Sequence, residues 1–155
     1  MDQPVPDLPV KGRGAVPNRA GRFEAHARHA VDDGWARDDD EPEPLATVVM
    51  EDKSRTIITR NSSPDVPFDR SINPYRGCEH GCVYCFARPT HAYLGLSPGL
   101  DFETRLFFKP DAARLLESAL RRPGYRPGGI AMGTTTDVHP PTAPAHPLTP
   151  PPPEL

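Results

Sequence analysis

Short apolar runs alternate with proline-containing turns along the central part of the chain. The runs Leu45 to Met50 and Arg55 to Thr59 have the β-branched content that is typical of short strands. Ser71-Ile-Asn-Pro predicts the end of a first core strand, because the residue before a proline favours extended backbone. That strand would run directly into the loop that follows it.

The second half of the chain predicts a strand, a helix and a further strand. Asp101 to Phe108 has strand character, and Ala112 to Arg122 has helical periodicity after Asp111, a favourable N-cap. The residues of the apolar stripe on this helix are Leu115, Leu116, Ala119 and Leu120. Gly129 to Gly133 then predicts a buried strand that ends in the polar segment Thr134 to Asp137.

The order strand, helix, strand predicts the start of an α/β barrel. The expected fold is therefore the N-terminal portion of a partial (β/α) TIM-type barrel, with an incomplete core over residues 47–137. Functional groups of such barrels lie at the carboxyl ends of strands, where the cysteine-containing loop 76–88 and segment 134–137 both fall. Residues 1–46 are expected to be a mostly disordered arm, and the proline-rich residues 138–155 a disordered tail.

Composition limits the size of the core and the class of partner. The chain of 155 residues has 22 prolines and an apolar fraction of 36%, which leaves modest material for a core. A net charge of −3 gives no electrostatic case for nucleic acid or a membrane surface. The N-terminus lacks a basic and apolar leader, and no run approaches the roughly 18 apolar residues of a membrane span. We therefore expect a cytoplasmic protein.

The cysteines of the chain are concentrated in one loop. Cys78, Cys82 and Cys85 have the spacing C-x3-C-x2-C, and an odd count in a reducing compartment favours metal ligands over disulfides. A structural zinc site needs a fourth ligand, for which His80 or His91 would have to serve. An iron–sulfur cluster bound by three thiolates would instead keep one iron open for chemistry.

Glycines and basic residues accompany this motif. Gly77 and Gly81 flank ligand positions and would give the loop permissive backbone angles and close approach to a bulky cofactor. Arg76 and Arg88 would either balance the charge of a cofactor or be surface ions. The basic, glycine-rich turn Lys11 to Gly14 would be either an anion-contacting arm or a solvated tail.

The cysteine spacing, with the aromatic Tyr84 before the last cysteine, resembles the signature of radical S-adenosylmethionine (radical SAM) enzymes. The likeness extends to a bacterial subgroup related to spore photoproduct lyase over about residues 10 to 137. The segments that carry it are Lys11 to Ala15, Ser71 to Cys78, Cys85 to Pro89, His91 to Leu96 and Asp101 to Thr104.

The resemblance implies cofactors, and it leaves the catalytic residues unknown. Cys78, Cys82 and Cys85 would bind a [4Fe-4S] cluster whose fourth iron takes S-adenosylmethionine, which is cleaved reductively to a 5′-deoxyadenosyl radical. Tyr84 would lie near the adenine or simply pack in the loop. Members of segment 134–137, namely Thr134, Thr135, Thr136 and Asp137, would receive the amine of S-adenosylmethionine or cap the strand end; the usual glycine-glycine-glutamate form is absent.

Partners and reaction follow from the same resemblance. An electron donor such as flavodoxin or ferredoxin is implied, and the reaction would be of lyase or repair type with an unidentified substrate. Nucleic acid is a candidate substrate by the relationship alone, since the sequence shows no basic stripe with interleaved aromatics.

The resemblance stops at Asp137, before the turn and further barrel repeats that the subgroup has there. We therefore expect a truncated or frame-shifted gene product. Two alternatives stay open beside the radical SAM function: a small structural zinc-binding module, and a non-functional truncated fragment.

Overall fold

The computed structural model describes residues 3–4, 12–15, 19–26, 31–32 and 45–137. The predicted tail 138–155 and most of the predicted arm 1–46 lie outside these residues. The contacts divide the chain into a first unit, Met1–Val48 with Glu79–Arg105, and a second unit, Val49–Cys78 with Leu106–Leu155. The division of the sequence into arm, core and tail stays a prediction.

The described residues form short strands, two α-helices and one 3₁₀ helix. The strands are β1 (Gln3–Pro4), β2 (Val31–Asp32), β3 (Val48–Glu51), β4 (Ile58–Arg60), β5 (Arg70–Ile72), β6 (Tyr75–Arg76), β7 (Arg105–Phe108) and β8 (Ala131–Met132). The helices are α1 (Leu100–Thr104) and α2 (Ala112–Leu120), and the 3₁₀ helix is Arg88–Leu94. No helix of this part of the chain is both long and apolar enough to cross a membrane.

Three small sheets connect the strands. Strands β1 and β2 pair with each other, and a second sheet has the order β3-β7-β6, with Tyr75 opposite Phe108 in an antiparallel ladder. The third sheet has the order β4-β5-β8. In it, β4 is antiparallel to β5, whereas β8 is parallel to β5 with Ile72 opposite Met132.

The core of the second unit lies between α2 and the β4-β5-β8 sheet. Ile57, Ile72 and Ala112 are buried there. Partly buried apolar residues pack around them, namely Ile58, Leu115, Leu116 and Ile130. Burying an isoleucine side chain contributes about 1.5–3 kcal/mol, so Ile57 and Ile72 stabilise this part of the second unit.

The predicted helix is present, with three differences. It ends at Leu120 rather than at Arg122, and Leu120, expected in the buried stripe, is 42% exposed. Asp111 lies at the N-cap position, but its carboxylate contacts the Arg114 guanidinium at 3.0 Å instead of capping a backbone N–H. The hydrogen bond from Arg114 holds the pKa of Asp111 below its ordinary value.

The prediction of a strand over Asp101 to Phe108 is correct for its second half and wrong for its first half. Residues 100–104 form α1, and the strand begins at Arg105. Phe102, Glu103 and Thr104 are buried in succession, which suits a helix packed into surrounding structure and not a strand with alternating faces. The Phe102 ring meets His91 of the 3₁₀ helix edge-on, with ring centroids 5.1 Å apart. This tertiary contact outweighs the local strand preference.

The predicted partial TIM-type barrel is wrong. A barrel of that type is a ring of parallel strands, each followed by a helix. Among the described residues β5 and β8 form one parallel pair, β4 adds to β5 in the antiparallel direction, and the other sheets are separate. The order of a strand, a helix and a strand is present in β7, α2 and β8, but β7 and β8 belong to different small sheets and do not start a barrel.

Candidate functional site

The cysteine loop follows β6 and contains the two glycine turns that its sequence predicted. No disulfide joins Cys78, Cys82 and Cys85; Cys82 is exposed, and the other two are half-buried. Gly77 has φ 80° and Gly81 has φ 65°. Both angles lie in the left-handed region that glycine adopts at little cost, so the expectation of permissive backbone at these positions is confirmed.

Turns in the backbone connect Cys82 to the following 3₁₀ helix. The Cys85 N–H donates to the Cys82 carbonyl oxygen at 3.2 Å, and the Arg88 N–H donates to that of Cys85 at 3.3 Å. The Arg88 side chain returns to the same loop, with Nε donating to the Cys82 carbonyl oxygen at 2.9 Å. The guanidinium of Arg88 therefore fixes the backbone at one candidate ligand.

Arg88 is held by a fully buried carboxylate. Glu103 has 0% exposure, and its Oε1 forms an ion pair and hydrogen bond with Arg88 Nη2. The same carboxylate accepts hydrogen bonds from the backbone N–H groups of Gly14 at 2.9 Å and Ala15 at 2.8 Å. Glu103 thus connects the start of the chain to the cysteine loop. Arg88 is neither a surface ion nor an unpaired cation available to a cofactor.

Residues 12–15, here called the docked arm, bind the first unit through a side chain as well. Arg13 donates from Nη1 to the Glu103 carbonyl oxygen at 2.9 Å. Its Nη2 donates to the Leu45 carbonyl oxygen at 2.9 Å and to Thr47 Oγ1 at 2.8 Å. Thr47 in turn donates to the carboxylate of Glu79 in the cysteine loop. The glycine-rich turn therefore does contact an anion, which is the protein's own Glu103.

The polar segment 134–137 lies beside the start of the cysteine loop. Thr136 Oγ1 donates to the Gly77 carbonyl oxygen at 2.6 Å, and both residues are buried. The Thr135 N–H donates to Asn73 Oδ1 at 3.0 Å, and Thr134 exchanges hydrogen bonds with the same amide. Segment 134–137 follows β8, which lies beside the parallel strand β5, whereas the cysteine loop follows β6 of a different sheet.

Aromatic and apolar side chains of the cysteine loop point to solvent. Tyr84 is 87% exposed, Phe86 78% and Val83 70%. An aromatic ring with this exposure is accessible to a planar ligand. The predicted placement of Tyr84 near an adenine stays a prediction, as do the ligand contacts of Thr134, Thr136 and Asp137.

The chemical type of the candidate ligands suits an iron–sulfur cluster, because three thiols lie close in sequence and none is used in a disulfide. Within the described ranges, no group of three or more His, Cys, Asp or Glu side chains is placed to hold a metal ion. Cys78 belongs to the second unit, and Cys82 and Cys85 belong to the first.

The histidines differ in their suitability as a fourth zinc ligand. His91 has 0% exposure, and its Nε2 lies 2.9 Å from the Arg105 carbonyl oxygen, so it serves packing. His80 is exposed on the cysteine loop. A zinc site in this loop would therefore have to use His80.

The positive charge at the start of the loop is also compensated. Arg76 Nε contacts Asp52 Oδ2 at 2.8 Å, so it is paired within the second unit. Lys109 is buried nearby, and its burial, together with Arg76, lowers the pKa of its ammonium group, which Asp52 partly offsets.

Glu103 and its contacts are the part of the site that sequence reasoning missed. Glu103 was assigned to a strand, although it lies in one of the segments that carry the radical SAM resemblance, as does the docked arm. The signal for this contact was a carboxylate next to the apolar Phe102, together with a glycine-bearing turn that is rich in backbone donors.

Comparisons with known proteins give relatives without an assigned function. The chain is 50% identical over 74 residues to the uncharacterized protein Mb2609c of Mycobacterium bovis and to the uncharacterized proteins MT2655 and Rv2578c of Mycobacterium tuberculosis. The matched stretch is 48% of this chain and 22% of each relative, so the chain spans about a fifth of the length of these relatives. No family model matches the sequence, and no solved structure matches it.

Proposed function

We propose that this chain carries the cofactor-binding part of a radical SAM protein, with Cys78, Cys82 and Cys85 as the ligands of a [4Fe-4S] cluster that works with S-adenosylmethionine. One structural observation supports the proposal in addition to the spacing of the cysteines. The loop of three thiols begins beside segment 134–137, where the Thr136 hydroxyl contacts the Gly77 carbonyl oxygen at 2.6 Å. Segment 134–137, with the candidate polar contacts for the second cofactor, thus contacts the residue that precedes Cys78, which supports the proposal.

The residues of segment 134–137 have different parts in this proposal. Thr136 is committed to the loop backbone, so it positions the loop that precedes Cys78. Thr134 is tied to Asn73. Asp137 carries a carboxylate, which is the chemical group suited to an ammonium group. Tyr84 offers an exposed ring face to the adenine. The reduced cluster would supply the electron that cleaves S-adenosylmethionine.

The ion pair of Arg88 and Glu103 has a supporting part. Arg88 holds the Cys82 carbonyl oxygen, and Glu103 holds both Arg88 and the docked arm. Because the guanidinium charge is already neutralised, the contribution of Arg88 is the placement of the loop and not the compensation of cluster charge.

The reaction that this cofactor set would serve is proposed only as a class, of lyase or repair type. The mycobacterial relatives extend well beyond the stretch that matches this chain. We therefore name no substrate for a complete protein. A flavodoxin or ferredoxin is the proposed electron donor. The cytoplasm is the proposed location, because a reducing compartment keeps cysteine thiols available for a cluster.

Anaerobic reconstitution of the full 155-residue chain with iron and sulfide tests the proposal. We expect about four iron and four sulfide ions per chain, and a reduced-state EPR signal that changes when S-adenosylmethionine is added. Cys78→Ala, Cys82→Ala and Cys85→Ala should each lose the cluster. His80→Ala is the matched control from the same loop and should keep it.

Two results would overturn the proposal. Stoichiometric zinc whose binding is lost in both Cys82→Ala and His80→Ala would identify a structural zinc module. A chain that folds, by circular dichroism, but retains neither metal would identify a fragment without the cofactor site.

A further inference from the structure

A cavity of about 300 Å³ in the second unit is lined by arginines from distant parts of the sequence. It lies between the C-terminal half of α2, the turn after it and the strand β4. The four arginines are Arg55, Arg60, Arg70 and Arg122. No aspartate or glutamate is among the described residues that line it.

Arg70 is held in place at this cavity. Its Nη1 donates to the Arg126 carbonyl oxygen at 2.7 Å, and its guanidinium carbon lies 5.5 Å from the centre of the Tyr125 ring. Asp69 Oδ2 is 3.3 Å from Nε, but the Asp69 side chain is 65% exposed and offers weak compensation. A guanidinium that is fixed in this way loses little conformational entropy when it binds an anion.

The other arginines lack an acidic partner. Within the described part of the chain, no ion pair joins Arg55, Arg60 or Arg122 to a carboxylate. The neighbouring Arg121, by contrast, contacts Glu117 at 2.7 Å. In a chain with a net charge of −3, this concentration of positive charge is local, and its mutual repulsion would be relieved by a bound anion.

We propose that this cavity binds a small phosphate-bearing ligand. The planar guanidinium matches phosphate oxygens with two parallel N–H donors, and the arginines converge on one concave space instead of forming a stripe. The cavity is at the lower end of the size of small-molecule sites, and Ile57, Ile58 and Leu115 add an apolar part to its lining. A nucleic-acid strand would need an extended basic track with aromatic platforms.

This inference is independent of the cluster, because every lining residue belongs to the second unit and none lies in the cysteine loop. Titration calorimetry of the full chain with inorganic pyrophosphate tests it, and we expect saturable binding of one ion per chain. Arg122→Gln and Arg55→Gln should each weaken binding about tenfold, which corresponds to about 1.4 kcal/mol, since each variant removes a charge-assisted hydrogen bond. Arg121→Gln is the matched control and should change the affinity by less than about twofold.

Both arginines to be replaced are exposed, and unchanged circular dichroism should show that the variants fold. Absence of saturable heat at millimolar pyrophosphate would overturn the proposal. An equal loss in Arg121→Gln and Arg122→Gln would do the same, because it would indicate general surface charge. If a single-stranded oligonucleotide binds more tightly than pyrophosphate and is not displaced by it, the cavity is part of a nucleic-acid site and the small-ligand proposal is wrong.

Discussion

The carbonyl oxygen of Gly81 occupies the space that a side chain at Gly14 would need. A Cβ atom built on Gly14 would lie 1.5 Å from that oxygen, well inside the distance at which atoms can pack. The two backbones therefore meet directly, one from the docked arm and one from the cysteine loop. Glu103 lies beside this contact, with Oε2 2.9 Å from the Gly14 nitrogen.

Gly14→Ala should separate the docked arm from the loop, because the arm cannot move aside without breaking its backbone hydrogen bonds to Glu103. We expect a loss of about 1–3 kcal/mol in the free energy of unfolding, which is usual for overpacking. Trypsin should also cleave after Arg13 faster than in the parent chain. Gly129→Ala is the matched control, since nothing lies within 4 Å of its Cβ position. An unchanged melting temperature with Arg13 still protected would contradict the contact.

Glu103→Gln should destabilise the first unit strongly. The glutamine keeps the size of the side chain but cannot accept from Gly14, Ala15 and Arg88 together, so a buried donor or charge is left without a partner. The expected cost is about 3 kcal/mol or more, measured by urea unfolding. Glu117→Gln, on the exposed face of α2, should change stability by less than about 0.5 kcal/mol. Similar costs for the two variants would mean that Glu103 does not hold the arm.

Thr136→Val should release the Gly77 carbonyl oxygen from its hydrogen bond. Valine preserves the shape of threonine and leaves a buried acceptor unsatisfied, so we expect a loss of about 1–3 kcal/mol in unfolding free energy. In the proposed holoprotein the variant should also lose iron to a chelator faster than the parent chain. Thr59→Val, on an exposed strand position, is the control. If Thr136→Val and Thr59→Val had equal stability and released iron equally fast, the inference that Thr136 positions the loop would be wrong.

Lys109→Met should raise stability at neutral pH. Burial and Arg76 lower the pKa of Lys109 in the folded state below its ordinary value of 10.5, so folding opposes the charged form. The unfolded chain then binds the proton more tightly, and the contribution of this group to stability rises as the pH climbs from the lowered pKa toward 10.5. Methionine removes the energetic cost of burying the ammonium group and keeps an apolar side chain of similar length.

Urea unfolding at a series of pH values measures this difference. The advantage of Lys109→Met over the parent chain should be greatest near pH 7 and should shrink as the pH approaches 10.5. Lys53→Met, which changes an exposed lysine, should show no such trend. If the stability advantage of Lys109→Met instead grew with pH, the pKa of Lys109 would be raised in the folded state and not lowered, which would contradict this prediction.

Local patterns in the sequence were enough for several elements. The apolar stripe of Ala112 to Leu120 and the prolines and glycines around it determine a helix, because its periodicity and its stop signal are contained in neighbouring residues. The strand ends at Ile72 and Met132, and the polar segment after the second, also follow from local composition. The cysteine spacing fixes a candidate ligand set in the same way.

Only the tertiary structure decided how these elements combine. Strand β4 adds to β5 in the antiparallel direction and the sheets stay small, so the barrel inferred from a strand-helix-strand order was wrong. Strand direction and closure depend on contacts between distant residues, which local periodicity does not encode.

The same reason explains Glu103 and the arginine cavity. Glu103 meets Gly14 across 89 positions of sequence, and Arg70 reaches the Arg126 carbonyl oxygen across 56. Each partner alone resembles an ordinary surface or turn residue. The sequence by itself determined the donors, acceptors and charges of this protein, whereas folding determined which of them are buried together, because burial and hydrogen bonding between distant residues are properties of the packed chain.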